Sequence, residues 1–288
     1  MDITLPRKQR VPLPRWLKKE LPSSPEYFRT RTLLKELGLQ TICEEARCPN
    51  QGECWSKNHA TVMILGPNCT RTCGFCSVPK GPTTRVDPEE PLRLAEAIQQ
   101  LGLKYVVITS VNRDDLPDGG AAQFAACIAS LRVRLPETKV EILTPDFQFS
   151  LERSIEAFQD HLPDVWAHNI ETVDRLSRKA RVKGSHKATL MCLKAIKERY
   201  PQVPTKSGIM LGMGEQEGEV EETLTRLRSV GVSHITVGQY LRPTPHHMPV
   251  KEFIPPERFE AWRQRCVELG YTAIECHPYA RSSYISSS

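Results

Sequence analysis

Short apolar runs alternate with helical patterns through most of this chain, and this alternation limits the possible folds more than any other feature. Six runs rich in β-branched residues are short and continuous, as expected for strands buried on both faces. They are residues 61–65, 105–109, 140–143, 165–169, 205–211 and 234–238. A helical pattern follows each of them, so the sequence predicts six consecutive βα units and a parallel sheet.

Apolar residues at helical spacing are clear in residues 87–101, where we expect Asp87 to cap the helix and Glu90 to complete a capping box. The other helical segments are 26–38, 119–135, 150–159, 185–200, 217–230 and 256–269. Six βα units are too few for a closed eight-stranded barrel. The sequence therefore predicts an α/β fold, either a partial (β/α)6 TIM-like barrel or an open doubly wound sheet. In both, ligands bind at the carboxyl ends of the strands.

The two ends of the chain do not follow the alternation. Residues 1–58 contain prolines, one helical segment and three cysteines, and residues 271–288 are short and serine-rich. We therefore interpret residues 59–270 as the partial barrel, with 1–58 and 271–288 as N- and C-terminal extensions.

The composition is that of an ordinary globular protein apart from its cysteines. The net charge of +5 favours acidic partners only mildly, and no basic patch is combined with the aromatic platform of a single-strand nucleic-acid binder. No apolar run approaches the roughly 18 residues of a membrane span, and the N-terminus lacks the apolar core of a secretory signal. We expect a cytoplasmic protein that binds neither nucleic acid nor membrane. Ten cysteines are many for such a protein, and six of them lie between positions 43 and 76, which indicates metal or redox chemistry.

One cysteine triplet follows the first predicted strand. Cys69, Cys73 and Cys76 have the spacing C-x3-C-x2-C, and three thiolates in one tight loop suit three irons of a [4Fe–4S] cluster. The fourth iron then remains open to a small bidentate molecule. The loop, with Phe75 before its last cysteine, is similar to that of the radical S-adenosylmethionine (radical SAM) superfamily, in which S-adenosylmethionine chelates the open iron. A zinc site is the alternative, although no fourth ligand lies nearby in the sequence.

The second triplet carries a more specific resemblance. Cys43, Cys48 and Cys54 have the spacing C-x4-C-x5-C, and residues 281–284 read Arg-Ser-Ser-Tyr. Together with the first triplet, these motifs resemble the lipoyl synthases. Further similar stretches are 109–111, 113–116, 118–121, 141–143, 145–147, 168–173, 206–215 and 238–244. The resemblance extends over approximately residues 43–284.

Some positions depart from the family pattern. Val182, Gly184 and His186 stand where the family usually has Pro, Ala and Tyr, and Ile285 follows Tyr284 in place of His. None of these departures affects the six clustered cysteines. A structural zinc site remains the alternative interpretation of the second triplet.

The resemblance implies roles for individual residues. Ser283 would be the fourth ligand of an auxiliary [4Fe–4S] cluster held by Cys43, Cys48 and Cys54. An alkoxide is a poorer ligand for such a cluster than a thiolate, so its bond should break first. The residues expected to contact S-adenosylmethionine are Phe75, Thr109, Asn169, Glu171, Arg181 and Leu241. Of these, Arg181 suits the methionine carboxylate because its planar fork meets a carboxylate bidentately.

The activity that the resemblance implies is sulfur insertion at C6 and C8 of an octanoyl chain on a lysine of a lipoyl carrier domain. Each product would consume two S-adenosylmethionine molecules and the sulfur of the auxiliary cluster. No side-chain acid or base is assigned, since unactivated C–H bonds require a radical. The implied partners are the octanoylated carrier, an electron donor such as flavodoxin or ferredoxin, and a cluster-repair carrier. The alternatives are another radical SAM sulfur-inserting enzyme, a non-catalytic iron–sulfur electron-transfer or sensor protein, and a zinc-binding structural protein.

Overall fold

A computed structural model describes residues 12–19, 22–56 and 59–283. In these residues eight strands form a single sheet, and they lie in it in the order of the sequence. The first pair of strands is antiparallel, and every later pair is parallel. The strands are β1 (Gln40–Thr41), β2 (Thr61–Ile64), β3 (Tyr105–Ser110), β4 (Lys139–Leu143), β5 (Val165–Ala167), β6 (Thr205–Leu211), β7 (His234–Gln239) and β8 (Ala273–Cys276). Because β1 and β8 stand at opposite edges, the sheet is open rather than closed.

Helices cover the sheet between successive strands. They are α1 (Pro25–Glu36), α2 (Ile42–Glu45), α3 (Gln51–Ser56), α4 (Glu90–Leu101), α5 (Ala121–Arg134), α6 (Leu151–Glu156), α7 (Asp174–Ala180), α8 (His186–Arg199), α9 (Glu217–Ser229) and α10 (Pro256–Glu268). Strands β2 to β7 are each followed by one or two of these helices. The prediction of a partial (β/α)6 barrel is thereby confirmed. Within the part of the chain that the structure describes, no helix is long and apolar enough to cross a membrane.

Five of these strands and helices, together with a 3-10 helix at Arg15–Leu17, were not predicted, and each is short or weakly patterned. The edge strands β1 and β8 lie in the segments interpreted as extensions, so both ends of the chain add a strand to the sheet. β1 has two residues. In β8 only the last residue is buried, so no continuous apolar run marks it. The helices α2, α3 and α7 have four, six and seven residues, too few to show a helical period.

The start of α4 differs from the predicted capping box. The helix begins at Glu90, and Asp87 accepts a bond from the amide of Glu89 at 2.9 Å. The Glu90 carboxylate instead accepts from the amide of Leu65 at 3.1 Å and from the side chain of Gln123 at 2.8 Å. Glu90 therefore fixes the point at which the chain leaves β2.

The apolar core lies between the sheet and its helices. Trp166 of β5 packs on Phe158 with ring centroids 4.3 Å apart, and aromatic pairs at this distance add to the stabilisation from burial. Cys127 and Cys192 are both fully buried in this core. Both are therefore core thiols, as are Cys266 and Cys276, which are buried in another apolar cluster. The six clustered cysteines remain for other chemistry.

Candidate active site

The first cysteine loop leaves the carboxyl end of β2 through a tight turn. Leu65 and Gly66 have φ values of 71° and 88°, in the left-handed region that glycine adopts without strain. The Cys69 thiol then accepts hydrogen bonds from the amides of Arg71 at 3.4 Å and Asn112 at 3.3 Å. Two amide donors directed at one sulfur fix the position of the Cys69 thiol in the loop.

Backbone bonds hold the centre of this loop between two other segments. The amide of Gly74 donates to the carbonyl of Ala180 at 2.8 Å, and the amide of Met248 donates to the carbonyl of Gly74 at 2.9 Å. Phe75 packs against an apolar cluster that includes Ala180, Tyr240 and Met248. The loop is thus fixed against the end of α7 and the segment that follows β7.

The three thiols of the loop influence one another electrostatically. Burial raises the pKa of Cys73 to about 11, the nearby Cys76 adds to this effect, and Arg181 opposes it. Burial also raises the pKa of Cys76; Lys80 opposes this rise, and Cys69 increases it. Thiols that repel one another as thiolates, in a buried loop, suit a bound metal centre, whose positive charge removes the repulsion.

A buried ionic network lies beneath the loop, and the sequence analysis did not identify it. Arg71 stands between two of the cysteines and is bidentate to Asp114, with distances of 2.9 and 2.8 Å. The same guanidinium binds Asp146 at 2.9 and 2.8 Å. Asp146 also lies 3.7 Å from Arg181. One carboxylate, buried to 1% exposure, therefore connects the cysteine loop to a residue expected to contact S-adenosylmethionine.

Arg181 is held on its other side by a neutral histidine. Its guanidinium donates to the hydroxyl of Thr189 at 2.7 Å and lies 3.5 Å from Nε2 of His168. Burial, together with the charge of Arg181, lowers the pKa of His168 to about 4. Nδ1 of His168 lies 2.8 Å from the carbonyl of Thr144. Because a carbonyl only accepts, this bond assigns the proton to Nδ1 and leaves Nε2 as an acceptor.

Four of the six residues expected to contact S-adenosylmethionine lie at the carboxyl ends of three strands. Asn169 and Glu171 follow β5, where Glu171 adopts a φ of 70°. Burial raises the pKa of Glu171, whereas Arg181 and a hydrogen bond from Asn169 lower it. The Thr109 hydroxyl on β3 donates to the carbonyl of Leu143 at 2.9 Å, so it holds two strands together. Leu241 lies two residues beyond the end of β7.

The second triplet lines a pocket formed from both ends of the chain. Cys43 lies on α2, Cys54 on α3, and Cys48 in the connection between them. A pocket of about 370 Å³ is lined by these three cysteines together with Ser283 and Arg281. In the described residues, no three His, Cys, Asp or Glu side chains converge on the position of a single metal ion. All four residues assigned to the auxiliary site nevertheless line this one pocket, whose size suits a cluster rather than a single ion.

The surroundings of this pocket fit a negatively charged cluster that contains sulfur. Burial raises the pKa values of Cys43 and Cys54 to about 12, and repulsion from Cys48 adds to the shift of Cys43. The indole N–H of Trp55 lies beside Cys43 and lowers the pKa of that thiol, as a donor to its sulfur does, and it makes no other hydrogen bond within the described residues. A buried donor of this kind requires an acceptor, and a cluster sulfur would supply one.

Arg281 adds a positive charge that the sequence analysis did not assign. Burial lowers the pKa of its guanidinium, and the thiol of Cys48 raises it. Its only sequence signal is its place directly before the serine pair. A half-buried arginine beside three thiolates would offset part of their charge.

A sequence profile identifies the class of protein, and solved structures share its fold. Methylornithine synthase (PylB) superposes with a TM-score of 0.54 at 16% identity, covering 86% of this chain and 81% of that one. Streptococcus suis SuiB bound to S-adenosylmethionine superposes with a TM-score of 0.53 at 13% identity, covering 76% and 50%. These likenesses concern the fold alone. The profile of the Radical SAM superfamily matches residues 63–227, and with the cysteine loop it defines a radical SAM enzyme.

The family follows from curated relatives that match almost the whole chain. The lipoyl synthase of Aeromonas hydrophila is 46% identical over 280 residues, which is 97% of this chain and 87% of the relative. That of Thiobacillus denitrificans is 47% identical over 284 residues, or 99% and 91%. A profile of the N-terminal domain of lipoyl synthase matches residues 1–48. The chain belongs to the lipoyl synthase family.

Membership of this family defines the chemistry and cofactors of the chain. It is a radical SAM enzyme that inserts sulfur, and it uses S-adenosylmethionine and two [4Fe–4S] clusters. The zinc-binding and electron-transfer alternatives are therefore set aside.

Proposed function

We propose that this chain inserts two sulfur atoms, at C6 and C8, into an octanoyl group carried on a lysine of a lipoyl carrier domain. One observation carries the proposal. Ser283 lines the same pocket as Cys43, Cys48 and Cys54, although it is more than two hundred residues away from them in the sequence. Such a four-ligand pocket, separate from the loop after β2, is what a sacrificial auxiliary cluster requires.

The cysteines divide between two clusters in this proposal. Cys69, Cys73 and Cys76 hold three irons of the radical SAM cluster and leave the fourth for S-adenosylmethionine. Cys43, Cys48, Cys54 and Ser283 hold the auxiliary cluster. When bound, the two clusters and S-adenosylmethionine supply the hydrogen-abstracting radical and the sulfur atoms; the protein binds, orients and shields them.

The side chains around the first cluster bind and orient S-adenosylmethionine. Asn169 and Glu171 face the ribose, and Arg181 faces the methionine carboxylate. Phe75, Thr109 and Leu241 complete the binding surface. The network of Asp146 and neutral His168 holds Arg181 in place, so its geometry is fixed before the ligand arrives.

Strand β3 gives the octanoyl chain a path between the two sites. Tyr105 and Val107 line the auxiliary pocket, and Thr109 lies two residues further along the same strand. At about 3.3 Å per residue, Thr109 is roughly 7 Å beyond Val107. An extended octanoyl chain along β3 could therefore present C6 and C8 to both sites, with the near-attack separations of about 3–3.5 Å that fast reaction needs.

The proposed partners follow from the reaction. The octanoylated carrier domain delivers the substrate, and the net charge of +5 suits an acidic carrier surface. An electron donor such as flavodoxin or ferredoxin reduces the first cluster. A repair carrier rebuilds the auxiliary cluster after its sulfur is used. We place the reaction in the cytoplasm.

An anaerobic product assay tests the proposal. The reconstituted chain receives S-adenosylmethionine, a strong reductant and an octanoyl-lysine peptide, and peptides are followed by mass spectrometry. We expect a peptide with one sulfur, followed by one with two. Cys43→Ala should form 5′-deoxyadenosine without any sulfur-bearing peptide. Cys127→Ala, which removes a core thiol outside both sites, serves as the matched control and should form both peptides. Sulfur insertion by Cys43→Ala at the wild-type level would overturn the assignment of the auxiliary site.

A further inference from the structure

The auxiliary pocket forms where residues 43–54 meet the C-terminal segment, and no disulfide joins these two parts of the chain. Three of its cysteines lie in residues 43–54, whereas Ser283 lies in the segment after β8. For Ser283 to act as a ligand, this C-terminal segment, residues 277–283, must be held against the N-terminal cysteine region. We call residues 277–283 the tail.

A single buried side chain makes the direct link. Asn50 lies between Cys48 and Cys54, and only 1% of its surface is exposed. Its Nδ2 donates a hydrogen bond of 2.7 Å to the backbone carbonyl of Tyr279. This carbonyl is four residues before Ser283. Because the acceptor is main chain, the bond fixes the path of the tail whatever side chain position 279 carries.

Lys19 supports this link from the solvent side. Its ammonium group donates to Oδ1 of Asn50 at 2.9 Å and to Glu53 at 2.8 Å. It also lies 4.4 Å from the centroid of the Tyr279 ring, within range of a cation–π interaction. Lys19 therefore orients the Asn50 amide, with Oδ1 toward the cation and Nδ2 toward the tail.

We propose that Asn50 is a positioning residue that seats the tail so that the Ser283 hydroxyl reaches the auxiliary cluster. The proposal rests on the proposed function, since it assumes that Ser283 is a ligand. Asn50 itself does not touch iron in this account. It acts through the Tyr279 carbonyl, and Lys19 sets its orientation.

The first test uses the full chain without clusters. We compare the wild type with Asn50→Ala and Lys19→Met by hydrogen–deuterium exchange of the tail amides. Losing the bond from Asn50 should speed exchange in residues 279–283 about tenfold, as expected for one buried hydrogen bond. Lys19→Met should have a smaller effect in the same direction. Lys139→Met is the matched control, because it removes an exposed lysine that pairs with Asp164 at 3.2 Å far from the tail, and it should leave tail exchange unchanged.

The second test measures the iron sites of the auxiliary cluster, which would not change if Asn50 had only a structural role. Mössbauer spectra of the reconstituted chain should show, in the wild type, one iron of the auxiliary cluster that differs from its thiolate-bound neighbours. Asn50→Ala should lose this distinct iron site while it keeps the remaining cluster iron. If Asn50→Ala does not fold, Lys19→Met decides, through a partial loss of the same signal.

Two outcomes overturn the inference. One is that the tail amides of both variants exchange at the rate of the wild type. The other is that the variant that folds keeps the distinct iron site unchanged. Failure of the proposed function would look different, because the wild type itself would then lack the distinct iron site. In that case the exchange measurement on the cluster-free chain still decides whether Asn50 holds the tail.

Discussion

The hydroxyl of Ser282 donates a hydrogen bond of 2.7 Å to Oδ1 of Asn169. This bond joins the tail, which carries Ser283, to the end of β5, where S-adenosylmethionine is expected to bind. Gly208 of β6 makes the contact possible, because a Cβ there would lie 2.8 Å from Asn169 Oδ1 and would also collide with the Ser282 hydroxyl. A hydrogen bond therefore connects the segment that carries Ser283 to a residue of the proposed S-adenosylmethionine site.

Removing this bond should weaken the binding of S-adenosylmethionine. In Ser282→Ala, Asn169 loses a partner worth about 1 kcal/mol, so the Kd should rise roughly fivefold. Calorimetric titration of the reconstituted protein measures this. Ser229→Ala is the control, because it removes a serine hydroxyl that bonds a helix carbonyl on the exposed side of α9. An unchanged Kd in Ser282→Ala would show that Asn169 does not need the tail.

Trp55 should adjust the reduction potential of the auxiliary cluster. Its buried indole N–H lies beside the Cys43 thiol and lowers the pKa of that group, and a donor to sulfur stabilises the reduced cluster. Trp55→Phe keeps the ring but loses the donor, so the potential should fall by about 40 mV, the equivalent of about 1 kcal/mol. Spectroelectrochemical titration measures the shift. Trp262→Phe is the control, because Trp262 lies on α10 and does not line the auxiliary pocket, and it should leave the potential unchanged.

Asp146 should contribute more to stability than a surface carboxylate. Burial disfavours its ionisation, but Arg71, followed by Arg181, holds its pKa below the ordinary value. Asp146→Asn leaves two buried guanidinium groups without their shared carboxylate, which should reduce the free energy of unfolding by about 3 kcal/mol.

The measurement for Asp146 is urea denaturation of the cluster-free chain. Asp164→Asn is the matched control, since Asp164 pairs with Arg132 and Lys139 near the surface. It should lose about 1 kcal/mol or less. Equal effects of the two substitutions would contradict the central role given to the Asp146 network.

The neutral His168 predicts a pH dependence of stability. Its pKa is lowered to about 4 in the folded chain, whereas an unfolded histidine titrates near 6.5. The unfolded chain therefore binds more protons between these values, and the free energy of unfolding should fall by about 3 kcal/mol as the pH decreases from 6.5 to 4. Denaturation at several pH values measures this slope. In His168→Gln most of this pH dependence should disappear. A slope identical to that of the wild type would contradict the assignment of a neutral His168.

Local patterns were enough to predict the frame of the fold and the cysteine loops. The six strands from β2 to β7 were found because buried parallel strands are continuous apolar runs, and the Cys69–Cys76 ligands share a single turn of the chain. Nothing comparable marks β8, whose residues are mostly half-buried. The sequence had no local signal for it.

The contacts that organise the site could not be predicted because they join distant positions. Arg71 and Asp146 are 75 residues apart, and Asn50 and Tyr279 are 229 apart. Each residue alone looks like an ordinary polar side chain in a loop. Ser283 was identified only through the resemblance of residues 281–284 to a family motif. Its closeness to the three cysteines is a product of the fold, which brings residues 43–54 and 281–283 to one pocket.

The most direct test of the account follows the sulfur. The auxiliary site is reconstituted with sulfide enriched in ³⁴S, and the protein then reacts once with S-adenosylmethionine and an octanoyl-lysine peptide. If the cluster at Cys43, Cys48, Cys54 and Ser283 is the sulfur source, the product peptide should carry two heavy sulfur atoms. A product with sulfur of natural abundance, or no sulfur-bearing product from protein that holds both clusters, would contradict it.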